Sequence, residues 1–95
     1  LTNFSNTKNI GTFSNLGTIT NQVKNQGSIT NFTNEGKLSG GFVNDTGATL
    51  TNFSNTKNIG TFSNLGTITN QVKNQGSITN FTNEGKLSGG FVNDT

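Results

Sequence analysis

Residues 25–34 of this chain read NQGSITNFTN, and the features of this stretch recur along the whole sequence. Asn25 and Gly27 mark a bend, because both residue types tolerate the left-handed backbone conformation that a sharp change of direction demands. Ile29 and Phe32 follow as isolated apolar residues among polar ones. Successive side chains of a strand point to opposite faces, so an apolar residue flanked by polar ones is directed inward. The stretch therefore predicts a bend followed by short strand segments whose apolar side chains point inward.

The same plan continues on both sides and divides the chain into segments. Five segments of 9, 10, 9, 10 and 11 residues add up to 49 residues, after which Asn55 restarts the series. The five segments begin at Asn6, Asn15, Asn25, Asn34 and Asn44. Their shared form is Asn-x-Gly-x-(Ile/Leu), with Phe or Val a few positions later.

The 49-residue unit is itself duplicated. Residues 1–46 reappear unchanged as residues 50–95, with Gly47, Ala48 and Thr49 between the copies. We therefore divide one continuous array, 1–95, into a first repeat, 1–49, and a second, truncated repeat, 50–95. The sequence opens inside the pattern without Met, so we expect a segment of a longer array. Such duplication describes an extendable surface, whereas an active site needs one asymmetric set of groups.

The composition favours strands over helices. Asn, Thr, Gly and Ser supply 56 of the 95 residues, and none of them is a strong helix former. The Asn-Gly dipeptide, the strongest hairpin signal, does not occur. We predict an all-β fold, a parallel β-solenoid (β-helix) or cross-β stack, with about 20 residues per coil made of two segments of 9–11 residues. A triangular coil of three segments is the alternative.

Two sets of inward positions follow from this prediction. The predicted core, together with the matching residues of the second repeat, is Ile10, Phe13, Ile19, Val23, Ile29, Phe32, Leu38, Phe42, Leu50 and Phe53. The predicted column of stacked asparagines, which Asn55 to Asn93 continue, is Asn6, Asn15, Asn25, Asn34 and Asn44. Stacked amides can each donate to one neighbour and accept from the other. The alternative is that these asparagines only satisfy turns. Asn21, Asn31 and Asn52 predict a second, less regular set.

Residue types with catalytic or metal-binding chemistry are scarce. The chain has no His and no Cys, and its only carboxylates are Glu35, Asp45, Glu84 and Asp94, spread one per segment beside bends. Nucleophilic and acid–base catalysis and metal binding need such groups clustered. We therefore expect no enzyme, no catalytic or cofactor-binding residue and no metal site.

The charge pattern restricts the partners. Six Lys against four acidic residues give a net charge of +2, and there is no Arg. The lysines are separated singly, unlike the clustered basic patch of a nucleic-acid-binding surface. No stretch approaches the roughly 20 apolar residues that span a bilayer. We expect neither nucleic acid nor a membrane span in this segment.

Outward Thr-x-Thr pairs suggest one alternative function. Thr18 and Thr20, Thr49 and Thr51, and Thr67 and Thr69 match this pattern. Regular rows of such pairs are similar to ice-binding β-solenoid surfaces. Other segments have Lys or Ser in these places, which favours the simpler interpretation, β-propensity on solvent-facing positions.

Sequons of the form Asn-x-Ser/Thr form a further motif. They predict candidate glycosylation sites at Asn3, Asn31, Asn44, Asn52, Asn80 and Asn93.

Four phrases carry a resemblance to a known class of repeats. They are GTITN (17–21), GSITN (27–31), NEGKLSG (34–40) and TLTN (49–52). These phrases resemble the Asn/Gly/Thr-rich repeats of bacterial surface adhesins, that is, filamentous haemagglutinin-like proteins and autotransporter passenger domains. The resemblance covers essentially the whole chain as a style of composition. It implies a secreted parallel β-helix that serves as an adhesive stalk or fibre. The likeness to curli-type functional amyloid is weaker, because the chain has only four Gln.

From these observations we expect a structural repeat segment of an extracellular filament, adhesin stalk or biofilm fibre at the cell surface. It would assemble by β-stacking with itself, either as a homopolymer or as a tandem array in one long chain. A host or matrix surface is a further expected partner. The alternative is an ice-binding β-solenoid that uses the outward Thr-x-Thr rows.

Overall fold

The computed structural model describes residues 2–94, which contain fourteen β-strands and no helix. In chain order the strands are β1 (Phe4–Asn6), β2 (Asn9–Asn15), β3 (Thr18–Ile19), β4 (Val23–Asn25), β5 (Ser28–Asn34), β6 (Lys37–Leu38), β7 (Phe42–Asn44), β8 (Thr49–Asn55), β9 (Asn58–Asn64), β10 (Thr67–Ile68), β11 (Val72–Asn74), β12 (Ser77–Asn83), β13 (Lys86–Leu87) and β14 (Phe91–Asn93).

The strands wind into a parallel β-solenoid of about five turns with about 19 residues in each coil. This confirms the predicted all-β class and the coil made of two segments. Each coil contributes to two sheets that enclose the core between them. The first sheet contains β1, β3, β4, β6, β7, β9 and β12, and the second contains β2, β5, β8, β10, β11, β13 and β14.

Segment length determines how each face of the coil is built. The nine-residue segments form unbroken seven-residue strands, as in β2 and β5. The ten-residue segments are split into two short strands. Leu38 aligns with Ile59 and Phe42 with Phe62, so three residues, 39–41, lie opposite two, 60–61. This is a β-bulge, which absorbs the additional residue without moving the apolar positions off register.

The 11-residue segment places its two additional residues in a bend. This bend runs from Asp45 to Ala48, where the Ala48 N–H donates to the Asp45 carbonyl oxygen at 3.0 Å. β8 follows the bend as another unbroken strand. The bends and bulges therefore keep every coil aligned although the segments differ in length.

The two repeats are turned by half a coil relative to each other. β2 and β9 have the same sequence, yet β2 lies in the second sheet and β9 in the first. The cause is that 49 residues contain five segments, an odd number, whereas a coil takes two. Each sheet therefore contains both unbroken and split strands.

The core contains one aliphatic and one mainly aromatic column behind each sheet. In the second sheet Phe13, Phe32 and Phe53 stack with ring centroids 4.9 and 5.0 Å apart and nearly parallel planes. The two aromatic columns also meet edge to face, as where Phe53 lies 4.5 Å from Phe62. Tilted and edge-on contacts of this kind add to the stability that burial provides.

Burial of the predicted core residues depends on their height in the solenoid. Eight of them are at most 1% exposed: Ile19, Val23, Ile29, Phe32, Leu38, Phe42, Leu50 and Phe53. Ile10 and Phe13 are half-buried, because they belong to the first coil and are covered from one side only among residues 2–94. Ile59 and Phe62, the same two residues in the second repeat, are at most 1% exposed.

The glycines of the Asn-x-Gly bends serve a different purpose from the predicted one. Positive φ angles occur only at Gly41, Gly47 and Gly90 among residues 2–94, and none of these is a bend Gly of that motif. A Cβ on Gly36 would instead overlap the carbonyl oxygen of Gly17 in the preceding coil. The prediction of left-handed backbone there is wrong. Gly is required because a Cβ at this bend would point into the backbone of the preceding coil, which lies only about 4.8 Å away.

Candidate functional site

The bend asparagines form two ladders, and the predicted single column is corrected in this respect. The first ladder is Asn6, Asn25, Asn44, Asn64 and Asn83, and the second ladder is Asn15, Asn34, Asn55, Asn74 and Asn93. Because a coil contains two bends on opposite sides, consecutive bend asparagines alternate between the ladders. The Nδ2-to-Oδ1 distances are 2.8–2.9 Å in the first ladder and 2.7–2.8 Å in the second.

Each interior Asn satisfies a turn and a ladder at the same time. The Asn34 Nδ2 donates to Asn55 Oδ1 at 2.8 Å, to the Gly36 carbonyl at 2.9 Å and to the Asn58 carbonyl at 3.3 Å. Its Oδ1 accepts from Asn15 Nδ2 at 2.8 Å and from the Gly36 N–H at 3.4 Å. The two interpretations of these residues, ladder and turn, therefore apply together.

In the middle of the stack the ladders are buried as deeply as the apolar core. Asn25, Asn34, Asn44, Asn55 and Asn64 have no exposed surface. Among the described residues, no buried side-chain nitrogen or oxygen lacks a hydrogen-bond partner. A buried amide without partners would cost about 1–3 kcal/mol, so complete pairing is what allows these polar groups inside the solenoid.

Both ladders have the same polarity. In every step the Nδ2 of one coil donates to the Oδ1 of the next coil toward the C-terminus. At the N-terminal end, the Oδ1 of Asn6 accepts from the Lys8 N–H but from no preceding amide within residues 2–94. At the other end, Asn83 Nδ2 donates to the Gly85 carbonyl at 3.3 Å. The stack thus presents an amide acceptor at one end and an amide donor at the other.

The other asparagine set forms a short exposed row. Asn52 Nδ2 donates to Asn31 Oδ1 at 2.8 Å, and Asn70 Nδ2 donates to Asn52 Oδ1 at 3.0 Å. The donors of this row point toward the N-terminus, opposite to those of the buried ladders. Asn21 does not join the row, because it lies beside Gly40 on the opposite sheet.

The first and last coils of residues 2–94 expose apolar surface. The N-terminal end surface contains Phe4, Ile10 and Phe13 with Asn6 and Asn15, and the C-terminal end surface contains Ile78, Phe81, Leu87 and Phe91 with Asn83 and Asn93. The apolar members of both surfaces are half-buried except Phe91, which is 38% exposed. Their counterparts in the middle of the stack are at most 1% exposed.

Leu16 shows the same effect of position. It is 74% exposed in the first repeat, whereas Leu65, its copy, is half-buried. The Leu65 N–H donates to the Asn44 carbonyl oxygen at 2.7 Å, in the coil below. The exposure of Leu16 therefore reflects its place in the first described coil.

The outward Thr-x-Thr pairs do not align into one regular row. Thr49 neighbours Thr67 in the second sheet, but Thr18 neighbours Lys37 in the first. Ser28 lies on the other side of Thr49. The half-coil rotation mixes threonines with lysine, serine and asparagine on both sheets, which leaves no flat face made of threonine alone in residues 2–94.

Asp45 forms a small polar cluster at the long bend. Its carboxylate lies 3.6 Å from Lys24 Nζ and 3.5 Å from Gln26 Nε2. The Thr46 N–H donates to Asp45 Oδ1 at 2.8 Å and is the main cause that holds the pKa of Asp45 below its ordinary value. These contacts stabilise the bend, and the cluster contains no second carboxylate.

The candidate glycosylation asparagines occupy different environments. Asn3, Asn31, Asn80 and Asn93 are exposed and Asn52 is half-buried. Asn44 has no exposed surface, and its Nδ2 donates to Asn64 Oδ1 at 2.8 Å. A glycan on that nitrogen would have no room within the folded stack.

Residues 2–94 contain no group of three or more His, Cys, Asp or Glu side chains that could hold a metal ion. The same residues contain no helix with the length and hydropathy needed to cross a membrane. Shallow grooves follow the sheets. One groove passes Lys37, Asn58 and Ser77, and another passes Asn52, Gln71 and Lys73.

Comparisons of this chain with protein-family models, with curated proteins and with solved structures found no match.

Proposed function

We propose that this chain is a structural segment of an extracellular filament, adhesin stalk or biofilm fibre that is lengthened by β-stacking. The observation that carries the proposal is the junction between the two repeats. There, β5 and β8 pair in parallel, and so do β7 and β9, without a break in either sheet. A junction that is as regular as the interior of a repeat supports a unit that can be added many times.

The packing at this junction supports the same conclusion. Phe32 of the first repeat stacks on Phe53 of the second at 5.0 Å, and Phe42 stacks on Phe62 at 5.3 Å. Both ladders also cross the junction, with Asn34 donating to Asn55 at 2.8 Å. Each added coil buries a further layer of apolar groups and pairs two further amides, so stability grows with length.

The placement at a cell surface rests on the resemblance of the repeats to bacterial surface adhesins. The proposal assigns the chain no catalytic step and no cofactor. Its partners are further copies of the repeat and, in the adhesin stalk, a host or matrix surface that the filament reaches. The exposed polar rows on both sheets supply the surface for such contacts.

The proposal is tested by measuring length against repeat number. One repeat supplies two and a half coils, which is about 12 Å of axis at about 4.8 Å per coil. Chains of two, four and six repeats are therefore expected to have axial lengths of about 24, 48 and 72 Å by small-angle scattering. A compact globule would instead show a radius of gyration that rises only with about the 0.38 power of residue number, and that result would overturn the proposal.

A further inference from the structure

We propose that two separate stacks of this repeat whose last coils are those of residues 2–94 dock end to end in one polarity, with the C-terminal end surface of one copy on the N-terminal end surface of the next. This inference rests on the proposed function and specifies the partner, the direction and the register. In that register Asn83 faces Asn6 of the second copy, and Asn93 faces its Asn15.

The apolar residues of the two end surfaces are matched by the junction inside the chain. Phe81, Leu87 and Phe91 are the second-repeat copies of Phe32, Leu38 and Phe42, which pack on Phe53, Ile59 and Phe62. Those three partners are in turn the second-repeat copies of Phe4, Ile10 and Phe13. The C-terminal end surface therefore repeats one side of the internal junction, and the N-terminal end surface repeats the other.

The same correspondence holds for the polar groups. Asn34 donates to Asn55 at 2.8 Å across the internal junction. Asn83 is the copy of Asn34, and Asn6 is the first-repeat equivalent of Asn55. Docking in the proposed register would thus give Asn83 Nδ2 an Asn Oδ1 acceptor, the same acceptor that all the other steps of the ladder use.

The ladders also disfavour the reversed polarity. If two N-terminal end surfaces met, the strands of one copy would run against those of the other, and each bend Asn would lie beside the start of a strand. Asn6 and Asn15 would then be covered without the side-chain amide donor that every interior ladder Oδ1 has. Head-to-tail docking supplies that donor at both positions, and the loss of two such hydrogen bonds favours head-to-tail docking by more than about tenfold.

The polarity is measured by disulfide cross-linking, which this chain suits because it contains no native Cys. Thr33 and Ser54 are outward-facing neighbours across the internal junction, and Thr82 and Ser5 are their equivalents at the two ends. Adjacent strands place such pairs within the range of Cα distances that a disulfide accepts. We therefore use Ser5→Cys and Thr82→Cys as single variants that carry tags of different mass.

After mild oxidation of an equimolar mixture, the Ser5→Cys/Thr82→Cys heterodimer is expected in at least about tenfold excess over either homodimer. Replacing Thr82→Cys by Ser77→Cys, on the same strand but out of register, is the control and is expected to lose that excess. A predominant homodimer, equal yields with Ser77→Cys, or no cross-link at any concentration would overturn the inference. These failures are distinguishable from failure of the proposed function, because rod length against repeat number is measured within single chains.

The ladder's part is tested with two further substitutions in the Thr82→Cys chain. Asn83→Ser removes a ladder amide at the C-terminal end surface, whereas Asn80→Ser makes the same change on the outer face of the same strand. Asn83→Ser is expected to lower the heterodimer yield several-fold, and Asn80→Ser is expected to leave it unchanged. Circular dichroism of both variants verifies that β structure is kept. Equal yields from the two folded variants would overturn the assignment of polarity to the ladders.

Discussion

Asn15 and Asn64 occupy the same position of the 49-residue repeat, yet they lie on opposite sides of the solenoid. Asn15 donates to Asn34 in the second ladder, whereas Asn64 accepts from Asn44 and donates to Asn83 in the first. Identical residues are therefore present in two environments within one chain. This arrangement provides matched pairs of substitutions in which only the position in the stack differs.

The first pair is Ile29→Asp and Ile78→Asp. Ile29 is 1% exposed in the middle of the stack, whereas Ile78, its copy, is half-buried in the last full strand of the first sheet. A carboxylate at position 29 would have no partner in a dry core, so we expect a loss of several kcal/mol or complete unfolding. At position 78 it can reach water, and the loss should be clearly smaller. Urea unfolding followed by circular dichroism measures both, and equal losses would contradict the assignment of Ile29 to the core.

A second pair compares Asn34→Ala with Asn83→Ala. Removing the Asn34 amide leaves Asn15 Nδ2 and Asn55 Oδ1 without their partner inside the stack. We expect Asn34→Ala to lower the free energy of unfolding by about 1–3 kcal/mol. Asn83 lies on the exposed end, so its replacement should cost only a fraction of that amount. If the two variants unfolded at the same urea concentration, the ladder would contribute no more than a surface turn.

Glycine spacing is tested by Gly36→Ala against Gly17→Ala. A Cβ at Gly36 would overlap the Gly17 carbonyl oxygen, whereas a Cβ at Gly17 would meet nothing within 4 Å. Neither residue has a positive φ, so the comparison isolates the contact between coils. We expect Gly36→Ala to destabilise the fold and Gly17→Ala to be neutral or to stabilise it by about 0.4–1 kcal/mol. Thermal unfolding distinguishes the two, and equal melting temperatures would mean that the coils separate easily.

The Asp45 cluster predicts a weak dependence of stability on pH. The Thr46 N–H, with Gln26 and Lys24, lowers the pKa of Asp45 in the folded chain from its ordinary value of 3.8. Stability conferred by this carboxylate is therefore complete above about pH 4 and is lost as pH falls below that value. Melting temperatures between pH 6 and pH 2 should fall less steeply in Asp45→Asn than in the natural sequence. Parallel curves for the two proteins would show that Asp45 does not contribute to the pH dependence of stability.

Much of this fold can be predicted from local spacing alone. The isolation of residues such as Ile29 among polar neighbours specifies which side chains point inward, and segments of 9–11 residues limit the coil to a few sizes. The division of the bend asparagines into two ladders depends on how many segments close a coil, which is a tertiary property. The role of Gly36 depends on a carbonyl oxygen 19 residues earlier in the chain, and no local pattern contains that information.

The direction of the ladders could not be predicted either. An amide can donate toward either neighbour, and the spacing of asparagines is the same in both cases. The orientation is decided in the structure by the Asx turn, in which Asn25 Oδ1 accepts from the Gly27 N–H. That bond leaves Nδ2 directed along the axis, where it reaches Asn44 at 2.9 Å.

The half-coil rotation between repeats gives any lengthened array a two-fold screw axis. The two flanks of the array, which are the outer faces of its two sheets, carry the same residues. They are staggered by one repeat, or about 12 Å along the axis. A molecule that binds one flank would find the same site on the other, so such an array would have no front and back. Neighbouring filaments could therefore associate on either side with equal ease, in ribbons as readily as in pairs.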